Sequence, residues 1–260
     1  MTSDSGTVTI PVNFTDSEGI SDTKNIIANV NPALIPELLN SKISSSQNVA
    51  EVKKFRPGLS TMMIHLAMDD LPPWKAAEAK EFNYIHIAPY IDDLAMTYTQ
   101  AAAGLLPSSP ALVIGQPTVT DSSRAPEGKH VLWIQVRVLP LDIKGDARGE
   151  ISGNTWDQIG EQYADRIIEI IENYAPGIKS KILSRKVLTP TDLERYNANL
   201  IKGDSLGGSH HPAQFFFLRP TPSWNRHRTP IDGLFICGSG TWPGGGVGGG
   251  SGAMVAKIIR

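Results

Sequence analysis

Apolar and polar residues alternate along much of this chain and switch to helical spacing in only a few places. Val8, Ile10, Val12 and Phe14 interleave with Thr7, Thr9, Pro11 and Asn13, the period of two that marks a half-buried strand. Asp16-Ser17-Glu18-Gly19 turns it, and Asn25 to Val30 follows as a second strand, so a hairpin leads into a strand-to-helix unit. Asn31-Pro32 supplies an N-cap and a first helical position for a short helix through Leu38-Leu39. The polar stretch Asn40 to Asn48 predicts a surface loop, and Lys53-Lys54-Phe55-Arg56 a solvated basic face.

From Leu59 strands dominate. Ser60, Met62, Ile64, Leu66 and Met68 share one face of a strand, with Thr61, Met63, His65 and Ala67 on the other. Further strands are expected at Tyr84–Tyr90, Ala111–Ile114 and Val131–Leu139. In the last, Leu132, Ile134, Val136 and Val138 form an apolar face, and Trp133, Gln135 and Arg137 a mixed one. A sheet with one greasy and one aromatic-polar face suits a substrate cavity wall, and equally a sheet covered by a helix. Asp92 caps a helix over Leu94, Ala95, Met96 and Tyr98 that stops at Gly104.

The clearest helix starts at Thr155, where Thr155-x-x-Gln158 has the form of a capping box. Trp156, Ile159, Tyr163, Ile167, Ile170, Ile171 and Tyr174 recur at helical spacing until Ala175-Pro176-Gly177, a stripe that reads as core. Thr189-Pro190 starts another helix. Asn197 to Pro230 then has little periodicity and many Gly, His, Pro and Trp residues, and long ordered loops in compact domains tend to be functional.

The apolar run Leu234-Phe235-Ile236-Cys237 closes the pattern, followed by Gly238 to Gly252 and an apolar helix start, Ala253 to Ile259. Nine of the fifteen residues from Gly238 to Gly252 are glycine. A backbone without Cβ atoms turns sharply and lets its N–H groups approach a ligand, while the next helix adds free N–H groups and a positive dipole end. The stretch reads as a cofactor-contacting loop. A flexible linker and a tight strand-to-helix packing turn are the alternatives, and Trp242-Pro243 in its middle argues against a linker.

Composition narrows the class. At 260 residues and 40% hydrophobic content the chain can bury a sizeable core, in one large domain or two interleaved ones. With 24 basic against 26 acidic residues and no basic-aromatic cluster, it lacks the electrostatic footprint of a nucleic-acid binder. A single cysteine, Cys237, excludes an intrachain disulfide and suits a reducing compartment. The opening residues lack a basic and an apolar signal region, and no stretch approaches a membrane span. The expectation is a soluble protein of the cytoplasm or an organelle matrix, not a secreted one.

Reactive candidates are few. His210-His211 has no Cys or His cluster around it with ligand spacing, so no metal site is expected, and pocket lining or loop bonding is the reading. His65 and His86 lie in strand patterns where a hydrogen-bonded core histidine is the default. Gly238-Ser239-Gly240 and Gly250-Ser251-Gly252 only approximate a nucleophile elbow, leaving a small serine hydrolase as a weaker reading. Arg219, Arg226 and Arg228 suit an anion or the ordering of their own loop.

The run Gly233 to Gly252, GLFICGSGTWPGGGVGGGSG, resembles the C-terminal flavin-contacting signature of the phytoene desaturase-like FAD-dependent oxidoreductases. Ile27–Pro32, Gly115–Thr118, Arg124–Trp133, Tyr163–Arg166, Tyr174–Gly177 and Gly203–His210 resemble the branch named for the pyridine nucleotide-disulfide oxidoreductase domain-containing protein 2. The resemblance runs from about Val8 to the end and implies an α+β or α/β chain, the C-terminal part of a two-domain FAD-dependent oxidoreductase fold. Its implied parts are an incomplete FAD-binding segment (1–55), a mixed-sheet substrate domain (56–229) and the closing strand, glycine loop and helix (230–260).

By position, Gly238, Ser239, Gly240, Thr241, Trp242, Pro243, Gly244, Gly245, Gly246 and Val247 would lie along the flavin, with Trp242 and Pro243 nearest its ring. His210, His211, Gln214 and Trp224 would approach the substrate side. No residue matches a catalytic acid or base, and hydride transfer to flavin N5 needs none because the cofactor carries the chemistry. Family members are about twice this length and begin with a Gly-x-Gly-x-x-Gly turn for the ADP part of FAD, a fingerprint missing from this sequence. The resemblance therefore implies an oxidoreductase half that needs a partner carrying that motif. The other reading is a flavin-free binding or interaction protein of the same fold. Either way the orphaned surface should be apolar, and self-association is expected.

Overall fold

The computed structural model describes residues 25–39, 47–88, 90–246 and 248–259. The strand expected at Val8–Phe14, its turn at 16–19 and most of the 40–48 loop lie outside these residues, as does Val247. In chain order the elements are β1 (Ile26–Ala28), α1 (Ile35–Leu38), α2 (Gln47–Ala50), β2 (Ser60–Met68), β3 (Tyr84–Ile87), α3 (Ile91–Ala102), β4 (Leu105–Leu106), β5 (Leu112–Gly115), β6 (His130–Leu139), β7 (Gly145–Asp146), α4 (Trp156–Glu172), α5 (Ile178–Lys181), β8 (Ile182–Leu188), α6 (Pro190–Tyr196), β9 (Leu234–Ile236) and α7 (Gly250–Ile259). Short 3₁₀ turns fill much of the stretch between α6 and β9. No described helix is long and apolar enough to cross a membrane.

The chain divides into two compact units, Met1–Pro57 with Leu206–Arg260, and Gly58–Ser205. The second is built on a five-stranded sheet of order β3-β5-β6-β2-β8. Its four pairings are all antiparallel, so the expected mixed sheet is corrected. Alternation tells which face a residue takes and says nothing of strand direction. Parallel pairing occurs separately, between β4 and β7 and, in the other unit, between β1 and β9.

Met62, Ile64 and Leu66 of β2 and Leu132, Ile134 and Val136 of β6 point the same way and pack in one core with Ile159, Tyr163, Ile167 and Ile171 of α4. The greasy face is thus covered by a helix. Each such residue stabilises the fold by roughly 1.5–3 kcal/mol relative to leaving it exposed. The expected face breaks at Val138. Ser60 pairs with Leu139 but Met62 with Val136, so two β6 residues oppose one on β2. Val138 takes φ +65° and is only half-buried, and Leu139 fills the core in its place.

Helix starts were read less well than helix bodies. Thr155 caps α4 by position, but Gln158 Oε1 accepts from Asn154 N, so the capping box does not close. Tyr90 precedes α3 and Asp92 lies inside its first turn rather than capping it. The box that does close is at α6, where Thr189 Oγ1 accepts from Asp192 N and Asp192 accepts from Thr189 N. His86 faces outward from the short strand β3 and is exposed, contrary to the core reading.

In the first unit Ile35, Val49, Val52, Trp224 and Ile236 form a smaller core. Residues 206–229, expected to continue the substrate domain, belong here. Arg219 explains it: its guanidinium donates to Gly207 O at 2.7 Å, Ser209 O at 3.0 Å and Ser239 O at 2.8 Å, and lies over the Phe55 ring.

Candidate functional site

Strand β9, the glycine turn and α7 surround a pocket of about 380 Å³ lined by Asn29, Cys237, Gly238, Ser239, residues 243–246, Gly248 and residues 250–252. Three hydroxyl and amide groups fix its base. Gly238 N donates to Ser251 Oγ at 2.9 Å, Thr241 Oγ1 donates to Gly238 O at 2.8 Å, and the two hydroxyl oxygens are 2.7 Å apart. Thr241 has one proton and spends it on Gly238 O, so Ser251 is the donor between the hydroxyls. Among the described residues no histidine hydrogen-bonds Ser251 Oγ, so no nucleophile-base pair forms there.

Six of the nine glycines fall into two groups. A methyl group at Gly238 would strike Asn29 Oδ1, at Gly240 the Pro32 ring and at Gly245 the Leu206 carbonyl. The protein's own packing explains these three. Gly248, Gly249 and Gly252 differ: their φ values lie outside the left-handed region, and an added Cβ would have no atom of the described residues within 4 Å. Neither backbone strain nor packing calls for glycine there. Gly250 and Gly252 open α7, whose first N–H groups have no intrahelical acceptor, and Gly249 immediately precedes it.

Beside the loop lies an aromatic cluster. Trp242 packs against Phe216 with ring centroids 4.8 Å apart and planes tilted by 31°, and meets Phe215 edge-on at 6.5 Å, while His210 lies 5.8 Å from Phe215. A methyl at Gly244 would come 3.8 Å from His210 Nε2, so this imidazole abuts the loop. Phe216 has φ +48°, a sparsely populated region for a bulky residue and one that recurs at functional sites.

The other substrate-side candidates serve structure. His211 Nδ1 accepts from Ala213 N at 3.2 Å and starts a 3₁₀ turn. Gln214 is buried, with Oε1 accepting from Arg56 N and Nε2 donating to Arg56 O. Trp224 is fully buried in the smaller core and has no face for a substrate. Loop ordering is likewise the role of Arg219, whereas Arg226 is exposed and Arg228 stacks on Phe235.

Burial raises the Cys237 thiol above its usual range, so it stays protonated and unreactive at neutral pH. Sequence reasoning missed Asn29, whose amide lies against Gly238, and His227. Burial lowers the His227 pKa, opposed by its contact with Ile236 O, and because a carbonyl only accepts, Nδ1 carries the proton at neutral pH. Among the described residues no group of three His, Cys, Asp or Glu side chains could hold a metal.

No family model matches the chain. It is 34% identical over 206 residues to the rat (Rattus norvegicus) pyridine nucleotide-disulfide oxidoreductase domain-containing protein 2, covering 75% of this chain and 34% of that protein. It is 32% identical over 160 residues to the neurosporene-forming phytoene desaturase of Rhodobacter capsulatus, covering 60% and 28%. By sequence the chain is similar to the phytoene desaturase-like oxidoreductases. It spans about a third of the length of the curated relatives it matches. The crystal structure of an oxidoreductase from Methanosarcina mazei shares the fold at a TM-score of 0.52 and 16% identity, covering 91% of this chain and 43% of that one. A desaturase-like oxidoreductase relative is thus established by sequence, and its site residues are read from geometry.

Proposed function

We propose that this chain is the flavin- and substrate-contacting, C-terminal half of an FAD-dependent oxidoreductase of the desaturase or dehydrogenase kind. The observation that carries the reading is the trio Gly248, Gly249 and Gly252, which stay glycine although neither φ nor packing demands it. A ligand pressed against the backbone supplies the missing reason. The pocket fits part of a dinucleotide: about 380 Å³ lies in the usual range for ligand sites, and the start of α7 favours an anionic group such as a pyrophosphate.

Residues 238–246 would hold the cofactor through backbone groups, and Thr241 and Ser251 would keep the turn in shape. Trp242, with Phe215, Phe216 and His210, would exclude water beside it. Bound there, the flavin supplies a two-electron acceptor for an apolar or amine-like substrate. The unit Gly58–Ser205 is assigned to the substrate, and a polypeptide carrying Gly-x-Gly-x-x-Gly completes the ADP site. A compartment without secretion, cytoplasm or organelle matrix, fits the single, half-buried cysteine.

Fluorescence titration of FAD with the purified chain tests this, with the visible spectrum after desalting as the second readout. Saturable quenching in the micromolar range is expected. Gly248→Val and Gly252→Val should each weaken it at least ~10-fold, equivalent to about 1.4 kcal/mol, with unchanged thermal melting. Absence of saturable quenching by the chain both alone and together with a polypeptide carrying Gly-x-Gly-x-x-Gly, or valine variants that bind as the parent does, would overturn the reading in favour of a flavin-free binding protein.

A further inference from the structure

Helix α3 is packed inside out. Its inward stripe is polar or small: Thr97 and Ala101 are buried, and Asp93 and Gln100 are half-buried. Thr97 Oγ1 reaches Ser109 O, and Gln100 Oε1 accepts from Ser108 N at 3.0 Å, so hydrogen bonds hold this side to the rest of the unit. The apolar residues face away. Ile91 is 81% exposed, Tyr98 56% and Met96 53%, and Leu94 and Ala95 are exposed too. An isolated exposed leucine means little, but a helix that turns its apolar side to solvent while bonding through its polar side marks an interface.

The outer seam names its own partner. Ile91, Ala95, Tyr98 and Ala102 recur at steps of four, three and four, the spacing of a helix-pairing stripe. Large and small residues alternate along it. If a second α3 is laid antiparallel about a two-fold axis midway between Ala95 and Tyr98, each large residue meets a small one. Ile91 then faces the other copy's Ala102, and Tyr98 faces its Ala95. Such alternation lets facing side chains interdigitate, and a two-fold interface requires this self-matching.

Charge agrees with the same orientation. Asp92 and Asp93 lie in the first turn of α3, and at its other end the exposed Lys144 lies over Gly104, whose Cβ position is 2.8 Å from Lys144 Cδ. Antiparallel pairing brings the acidic end of each helix toward the basic end of the other. A bilayer with anionic headgroups would meet Asp92 and Asp93 unfavourably.

The geometry points to a homodimer of this chain formed by antiparallel, two-fold pairing of α3. The helix is about 18 Å long, so it buries less than the ~800 Å² per partner of a standard interface, and the dimer is reversible. This inference does not depend on flavin binding.

Sedimentation velocity over a concentration series tests it on the full chain, with circular dichroism as a folding control. The parent should move from monomer to dimer in the micromolar range. Ile91→Glu and Ala102→Lys should each be monomeric yet melt as the parent does, since both positions face solvent in the monomer. An equimolar mixture of the two should regain dimer, because the new charges then meet across the interface. A parent that stays monomeric at the highest concentration overturns the inference. So does a dimer that survives Ile91→Glu, a mixture that stays monomeric, or a monomeric parent that pellets with lipid vesicles through Ile91.

Discussion

Replacing Arg166 with methionine should destabilise the protein by about 3–5 kcal/mol. Arg166 lies in α4 and is almost fully buried, and its guanidinium meets the buried Asp146 carboxylate through Nη1 and Nη2, both at 2.6 Å. Glu150 adds a third contact at 3.3 Å, and the guanidinium lies over the Tyr163 ring. Methionine keeps much of the side-chain volume, so the loss is electrostatic. It leaves a buried carboxylate supported only by the backbone N–H groups of Glu150 and Ile151.

Urea unfolding as a function of pH checks the assignment. Burial alone would raise the Asp146 pKa, but the Arg166 hydrogen bonds and the two backbone N–H groups outweigh it and hold the carboxyl far below the usual range. A carboxyl whose folded pKa is depressed contributes stability that is full above its unfolded pKa, about 3.9, and that drains as pH falls toward the folded value. The parent should therefore lose stability on acidification below about pH 4. In the Arg166→Met protein burial acts with little opposition, so this acid-side loss should shrink. An identical pH profile in the two proteins would remove Asp146 from the account.

The parts of the fold legible in the sequence were those where one periodic face meets one packing partner. The β2 alternation held, and so did the α4 stripe except at Tyr174, which lies beyond the helix and is exposed, because Met62, Ile64 and Leu66 pack in one core with Ile159, Tyr163 and Ile167. Strand direction was not legible, and neither was the extra β6 residue that moves Leu139 into the place expected of Val138. The apolar residues of α3 were visible as a helix, yet their exposure was not. Its anchors are the Ser108 amide and the Ser109 carbonyl, backbone groups that every residue carries and that no sequence letter distinguishes.

The same blindness applied to the candidate site. The glycine loop could be located from composition, but which glycines serve packing and which leave room for a ligand depends on what each missing Cβ would meet. Trp224 and Gln214 sat in the expected loop and proved to be a core residue and a backbone clamp.

Replacing Arg219 with alanine should destabilise the first unit by about 3 kcal/mol or more and abolish FAD quenching with it. The residue is 1% exposed and bridges the turn at Gly207–Ser209, the Gln214 carbonyl and Ser239 at the start of the glycine loop. Each buried carbonyl left without a donor costs roughly 1–3 kcal/mol, less where water can enter. Lysine should rescue little, because a single ammonium cannot span Ser209 O and Ser239 O as the planar guanidinium does. Hydrogen exchange distinguishes this from general unfolding: amides at 207–214 and 238–246 should lose protection while those of α4 keep it. Because the cofactor would be held by backbone groups of that loop, binding should fail even where the variant remains folded. An Arg219→Ala protein that is folded and quenches FAD as the parent does would show that the loop keeps its shape without this clamp.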